Sequence, residues 1–432
     1  MRVLLTNGLL VNRAGSELYL LEVATRLLAL GHSPVAYSPC LGPLAAELRA
    51  ATIPAVDDLA AVAEPPDVIH GQHHLPAMTA LLHFPGVPAL FVSHGWAPWE
   101  EAPPRFPRIL RYVAVDHTTR ERLVSASGIP PERVEVILNF VDLARFRPRS
   151  PLPPAPRRAL VFSNQASEET HLPVVREACS RFGIALDVAG VASGRPAARP
   201  ETLLPGYDLV FAKGRSALEA MAVGAAVVLC DQSGAGPMVT TESFDRLRPL
   251  NFGIRTLREP VAPDVLAREI GRYDPADAAE VSRRVRAEAG LEAPVDRLAA
   301  LYAEVIAEHR ERGPSPAGDE GRAAATYLRW LDPHLQEQQS RLKAELDGLV
   351  AERDRLVAER DRLVAERDRL AAERDRLAAE LDGRSAERDR LTAQAEALRR
   401  DLAALQGTAT WRLRERLVRS PLLLRLYRGL RR

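Results

Sequence analysis

Asp208-Leu209-Val210-Phe211-Ala212-Lys213-Gly214-Arg215-Ser216-Ala217-Leu218-Glu219-Ala220-Met221-Ala222-Val223-Gly224-Ala225-Ala226-Val227-Val228-Leu229 reads as strand, glycine turn, short helix and next strand. The apolar run Leu209 to Phe211 is a buried strand. Gly214 permits a tight turn and a close approach of ligand to backbone. Ser216 is placed to cap the helix that follows. Free amides at a helix start, at the positive end of its dipole, form an anion seat. Glu219 lies about one turn further in, within reach of a sugar hydroxyl beside that anion. A phosphate seat next to a hydroxyl acceptor is what a nucleotide-sugar requires.

Working outward, Arg2 to Thr6 reads as a strand, Gly8 to Gly15 as a loop and Ser16 to Leu30 as an amphipathic helix. Gly31 ends that helix and Ser33 to Tyr37 restarts a strand, which is a doubly wound α/β opening. Asp67 to His70 is a further strand, followed by Gly71-Gln72-His73-His74. Adjacent histidines do not converge on one ion and no third ligand has clear spacing, so no metal site is expected. Ala89 to Ser93 delivers His94-Gly95-Trp96. His94 is either a surface-loop residue or a cleft residue that bonds a sugar hydroxyl or shuttles a proton. Its place at a strand end favours the cleft. Trp96 and Trp99 either wall an acceptor or pack the proline-rich loop 98–107. Pro148 to Pro156 reads as a linker between two α/β domains, and Arg158 to Asn164 opens the second.

The 208–229 stretch resembles the donor-binding motif in the C-terminal domain of family 4-like glycosyltransferases of the GT-B fold. A second stretch agrees: Tyr112 to Asp116, then Val134 to Val141, then Asn139-Phe140-Val141-Asp142, with Phe140 where the family carries glycine. The resemblance covers roughly residues 1–310. It implies two Rossmann-like domains facing a cleft, with Glu219 on the nucleotide ribose and the amides near Gly214, Arg215, Ser216 and Ala217 on the diphosphate. The glycine loop ending at Gly15 is either a simple strand–helix turn or, as the resemblance implies, lies over donor phosphates and acceptor; His94 would face the transferred sugar. Two departures stand out. Many retaining members carry a first glutamate eight positions before the one matching Glu219, and here that position is Phe211. The family's basic pair after the second domain's first strand is also missing, so Lys213 and Arg215 are expected to neutralise the leaving diphosphate. The resemblance implies that no cofactor and no metal is required.

Among 432 residues the net charge is +1, which argues against bulk nucleic-acid binding. Cys40, Cys179 and Cys230 are far apart and read as single thiols in a reducing compartment. No apolar run approaches the ~18 residues of a membrane span, and Met1 to Leu5 is too short for a signal peptide. The chain is therefore expected in the cytoplasm, unless its tail holds it to the inner face of the cytoplasmic membrane.

Leucines recur every seven residues from Leu328 to Leu405, with only Arg384 breaking the register. That implies one helix about 120 Å long. Alternating charges such as Glu352, Arg355, Glu359 and Arg362 support it by roughly 0.2–0.5 kcal/mol per pair. A dimeric coiled coil competes with a solvated single helix, because Arg353, Arg360, Arg367 and Arg374 fall at the other core position. Beyond Gly407, Trp411, Leu413 and Leu417 interleave with Arg412, Arg414, Arg416 and Arg419. Such a segment either lies on an anionic bilayer or docks on a protein.

The expected organisation is an acceptor domain over 1–150, a nucleotide-sugar domain over 151–310, a linker over 311–322, a coiled coil over 323–406 and a basic amphipathic tail over 407–432. The expected activity is transfer of a hexosyl group from a nucleotide-diphosphate sugar to a cell-envelope glycan or lipid-linked acceptor in a bacterium. The catalytic candidates are His94 and Arg215. Homodimerisation through 323–406 and membrane binding through 408–432 complete the expected partners. The rival reading is a degenerate glycosyltransferase-like scaffold that organises a polysaccharide assembly through its helix.

Overall fold

The computed structural model describes residues 1–96, 98–316, 318–421 and 425. It divides into two units, Met1–Trp330 and Leu331–Arg432. The first unit holds two α/β domains. In the first domain the strands are β1 (Arg2–Thr6), β2 (Ser33–Tyr37), β3 (Ala55–Val56), β4 (Val68–Gly71), β5 (Ala89–Ser93), β6 (Ile109–Ala114) and β7 (Val134–Val136). They form one parallel sheet in the order β3-β2-β1-β4-β5-β6-β7. The order reverses at β1, which places a crevice beyond the ends of β1 and β4. β4 and β5 are buried along their whole length, including the polar His70 of β4 and Ser93 at the end of β5.

The second domain has β8 (Arg158–Phe162), β9 (Ala185–Ala189), β10 (Leu209–Ala212), β11 (Ala226–Asp231) and β12 (Gly234–Met238). Their order is β12-β11-β10-β8-β9, with only β12 antiparallel. The helix Gly214–Val223 links β10 to β11 and ends at Gly224, whose φ of +94° is a left-handed stop that glycine adopts without strain. Phe211 is fully buried inside this sheet's core. The position where the family resemblance implies a carboxylate is therefore packing here.

The helix Glu292–Arg312 leaves the second domain and packs into the first. Its Val295, Leu298, Leu301, Tyr302 and Val305 are all 0% exposed among the core side chains of the first sheet. The segment expected to close the second domain at 310 thus completes the first. Phe140 joins the same core, its ring 5.2 Å from that of Tyr19. The next helix begins at Asp319, earlier than the expected 323, and Ala323, Ala324 and Tyr327 pack on the first domain.

In the second unit the helix continues to Gln406, and a helix over Ala409–Val418 follows. The leucine line is solvent-facing: Leu356, Leu363 and Leu370 are 54%, 53% and 54% exposed. Arg355 reaches Glu352 at 2.7 Å, while Arg353, Arg360, Arg367 and Arg374 each fold onto the next aspartate at 2.7 Å. Exposed pairs of this kind contribute little each. Residues 422–424 and 426–432 of the basic tail lie outside the described residues.

Because Leu301 is enclosed on all sides, Leu301→Ala is expected to lower unfolding stability by about 2–5 kcal/mol. Urea titration followed by circular dichroism checks this.

Candidate active site

The two sheets turn the carboxyl ends of their strands toward each other across a cavity of about 550 Å³. Gly15, Ser16, His94 and Trp96 line it from the first domain, and Lys213, Gly214, Arg215 and Ser216 from the second. Of the residues singled out from sequence, Gly15, His94, Lys213, Gly214, Arg215 and Ser216 meet here. Ala217 and Glu219 do not line the cavity.

The turn after β10 follows from its sequence. Lys213 is extended, and Gly214 takes a φ of +58° as the first residue of the helix. The Gly214 amide donates to the Phe252 carbonyl at 2.9 Å, so it is occupied. Among the described residues, the amides of Arg215 and Ser216 meet no protein acceptor and stand at the positive end of the helix. Ser216 is inside the helix, not at its cap, because Lys213 holds the cap position, where its side chain makes no capping bond. Ala217 is fully buried and its amide turns back toward the Lys213 carbonyl, so only two amides face a ligand. The Lys213 ammonium pairs with the fully buried Asp231 at the end of β11. That aspartate also accepts from the Ser233 amide at 2.6 Å.

Glu219 is engaged by protein. The Arg215 Nε donates to its carboxylate at 2.8 Å, and the Arg215 Nη2 donates to Glu22 on the first domain's helix Gly15–Ala29. Arg145 adds a second cation, 3.4 Å from Glu22 and 2.9 Å from Glu201. Burial opposes the charge on Arg215, yet Glu22 and Glu219 outweigh it and raise its pKa. Burial also raises the Glu219 pKa, against the lowering effect of Arg215. The arginine gains from two carboxylates, whereas for Glu219 burial outweighs its share of one cation.

His94 sits at the end of β5 with its Nε2 2.7 Å from the Gln72 Oε1. Its backbone amide donates to Glu101 at 2.7 Å. Burial drives its pKa down to about 4; Glu101 opposes this, while His73 and Arg215 add to it. His94 is therefore neutral at pH 7. The two adjacent histidines diverge. His73 accepts from the Gly8 amide at 3.0 Å and faces Glu101, while His74 contacts the Tyr327 hydroxyl at 2.7 Å. Trp96 borders the cavity with the Arg255 guanidinium 5.2 Å over its ring, and Trp99 packs against His74.

Residues 13–145 match the model of Glycosyltransferase Family 4. Over that stretch the chain is similar to this family, and the two α/β domains have a GT-B fold. A glycosyltransferase from Rickettsia africae ESF-5 is 17% identical over 71% of this chain and 98% of that one, with a TM-score of 0.53. HepE from Anabaena, in complex with UDP-glucose, is 14% identical over 70% and 100%, with a TM-score of 0.52. Sucrose-phosphate synthase from Thermosynechococcus elongatus is 15% identical over 71% and 99%, with a TM-score of 0.50. At such identities the likeness establishes fold. No curated protein matches the chain. The helical repeat matches the model "FAZ1, C-terminal" twice, over 357–391 and 371–398.

The GT-B cleft also contains residues that sequence left unassigned. Asn251 and Phe252 hold left-handed φ values of +49° and +52°. This turn sends the Phe252 carbonyl to Gly214 and the Asn251 amide nitrogen across to the Val115 carbonyl of the first domain. Asn251, Gly253 and Asp116 line the cavity. No local sequence signal ties Asn251 to a partner 136 residues earlier.

The raised Glu219 pKa means the folded chain binds a proton there more readily than the unfolded chain does. Its stability contribution therefore falls as pH rises through that window. Arg215→Met removes the compensating cation and is expected to cost about 3–5 kcal/mol at pH 8, with the deficit narrowing toward pH 5. Urea midpoints across pH read both.

Proposed function

We propose that the cleft transfers a hexosyl group from a nucleotide-diphosphate sugar to a cell-envelope glycan or lipid-linked acceptor, without a required metal ion or cofactor. The observation that carries this is the meeting of Gly15 and His94 from one domain with Gly214, Arg215 and Ser216 from the other around one cavity. The Arg215 and Ser216 amides and the Arg215 guanidinium suit a diphosphate. HepE, with the same fold, is described in complex with UDP-glucose. In the reaction the acceptor hydroxyl oxygen bonds to the anomeric carbon. The bond from that carbon to the diphosphate oxygen breaks, its electron pair leaves with the phosphate, and the hydroxyl proton departs. Arg215 and Lys213 would offset the charge on the leaving group. An arriving diphosphate would draw Arg215 off Glu219 and leave that carboxylate to accept from the ribose hydroxyls. His94 would hydrogen-bond the transferred sugar.

The scaffold reading is favoured by one observation, that the Glu219 carboxylate is already taken by Arg215. Nucleotide-sugars separate the two readings. The transferase reading expects one of a panel of UDP-, GDP- and TDP-sugars to raise the melting temperature at millimolar concentration and to be turned over. Arg215→Ala is then expected to lower kcat by about 10²–10³. If no donor shifts the melting temperature or is consumed, the scaffold reading stands.

For the second unit we propose a homodimer through the leucine line of the helix and attachment of the basic tail to an anionic membrane, at the inner face of the bacterial cytoplasmic membrane. The half-exposed leucines support a partner helix, and Trp411 and Leu413 beside Arg412 and Arg414 support an amphipathic contact. Among the described residues no helix is long and apolar enough to cross a membrane. The full chain is expected to sediment as a dimer at tens of micromolar. It should bind vesicles only when they contain anionic lipid, and lose that binding on deletion of 408–432. A monomer, or vesicle binding indifferent to charge and to the deletion, refutes the respective half.

A further inference from the structure

A buried file of polar side chains runs from the back of the first domain to the cleft. The Tyr302 hydroxyl on the helix Glu292–Arg312 is 2.6 Å from the His70 Nδ1. The His70 Nε2 is 3.3 Å from the Gln72 Nε2, and the Gln72 Oε1 is 2.7 Å from the His94 Nε2. Tyr302, His70 and Gln72 are each 0% exposed. The Gln72 backbone is fixed as well: its amide donates to the Thr6 Oγ1 and its carbonyl accepts from the same hydroxyl, both at 3.0 Å. His94, at the end of the file, is the member that borders the cavity.

We propose that Gln72 is a positioning residue for His94, whose side-chain amide, held in turn by His70 and Tyr302, commits Nε2 of the imidazole to the protein and offers only Nδ1 to the cleft. The argument is one of matched donors and acceptors. An amide presents an acceptor on one side and a donor on the other, and a neutral imidazole has one of each. All three bonds of the file must therefore run in the same sense. Reversing one reverses all, and that needs a buried amide to turn end over end while its partners lose their bonds. A single His94 tautomer is thus frozen, and a sugar hydroxyl meets a nitrogen of fixed character and direction. Sites built this way hold geometry more tightly than a lone loop histidine does. This inference rests on the proposed role of His94 beside the transferred sugar, but its main test does not need turnover.

The groups that set His94 are few. Glu101 accepts its backbone amide, His73 and Arg215 act on it through space, and the Tyr19 ring stands edge-on at 4.6 Å. The test is a long-range ¹H–¹⁵N spectrum of the histidine-labelled full chain at pH 7.5, with His94 assigned by loss of its signals in His94→Asn. The wild type is expected to show one tautomer, and Gln72→Leu an averaged mixture. Should Gln72→Leu fail to fold, Tyr302→Phe removes a single oxygen from the far end and is expected to release the same averaging. An averaged His94 in the wild type, or a single tautomer unchanged in the folded variants, overturns the proposal. Where a donor is turned over, Gln72→Glu places a carboxylate beside the ring. It should then move the acid limb of the kcat profile upward by about 1–3 pH units. An unmoved limb also overturns it. If no nucleotide-sugar is turned over, the transferase reading fails while the spectra still decide the positioning role.

Discussion

The Arg215 guanidinium lies between two buried carboxylates, Glu22 of the first domain and Glu219 of the second. Three charges with one cation among them cannot all be satisfied, and the first domain's Arg145 offsets the imbalance only at 3.4 Å from Glu22. The net negative balance makes Arg215 hard to remove, yet leaves it one strong competitor, a more highly charged anion at the adjacent helix start. The same ion pairs that bridge the domains therefore set the character of the cleft. The Asn251 amide on the Val115 carbonyl and Arg248 on the Asn139 carbonyl at 2.8 Å add neutral and charge-assisted links across the same gap.

A second constraint comes from the helix Glu292–Arg312. Its apolar face completes the core of a sheet whose first strand lies at the opposite end of the α/β segment. The first domain is thus closed by a segment that follows the whole second domain in the chain. This return also carries Tyr302 to His70, so the packing that stabilises the sheet supports the hydrogen-bonded file behind His94. The Phe140 ring against Tyr19 belongs to that core, which gives a bulky side chain a packing role at this position.

Much of the site was legible in sequence, and the misses are instructive. Strand, turn and helix around Gly214 followed from an apolar run, a glycine and strong helix formers, all local signals. His94 was legible because a strand end points at the crevice. Ser216 is not the cap because Gly214 itself starts the helix, three residues earlier than a serine cap at 216 requires. Lys213 and Glu219 were read as free groups, but Asp231 and Arg215 hold them. Asn251 was passed over because its partners, Val115 and Arg248, and the turn that presents it share no sequence pattern.

The sequence by itself determined the alternation of strands and helices, the glycine turn at a strand end and the seven-residue leucine line. Each arises from periodicities of two, 3.6 and 3.5 residues that need no distant partner. Tertiary structure alone decided which carboxylate each cation meets, that the helix after residue 291 returns to the first sheet, and that a tyrosine 232 positions away lies behind the strand-end histidines. Charge pairing and core closure depend on which surfaces come together in space, and a linear pattern of polar residues leaves those pairings degenerate.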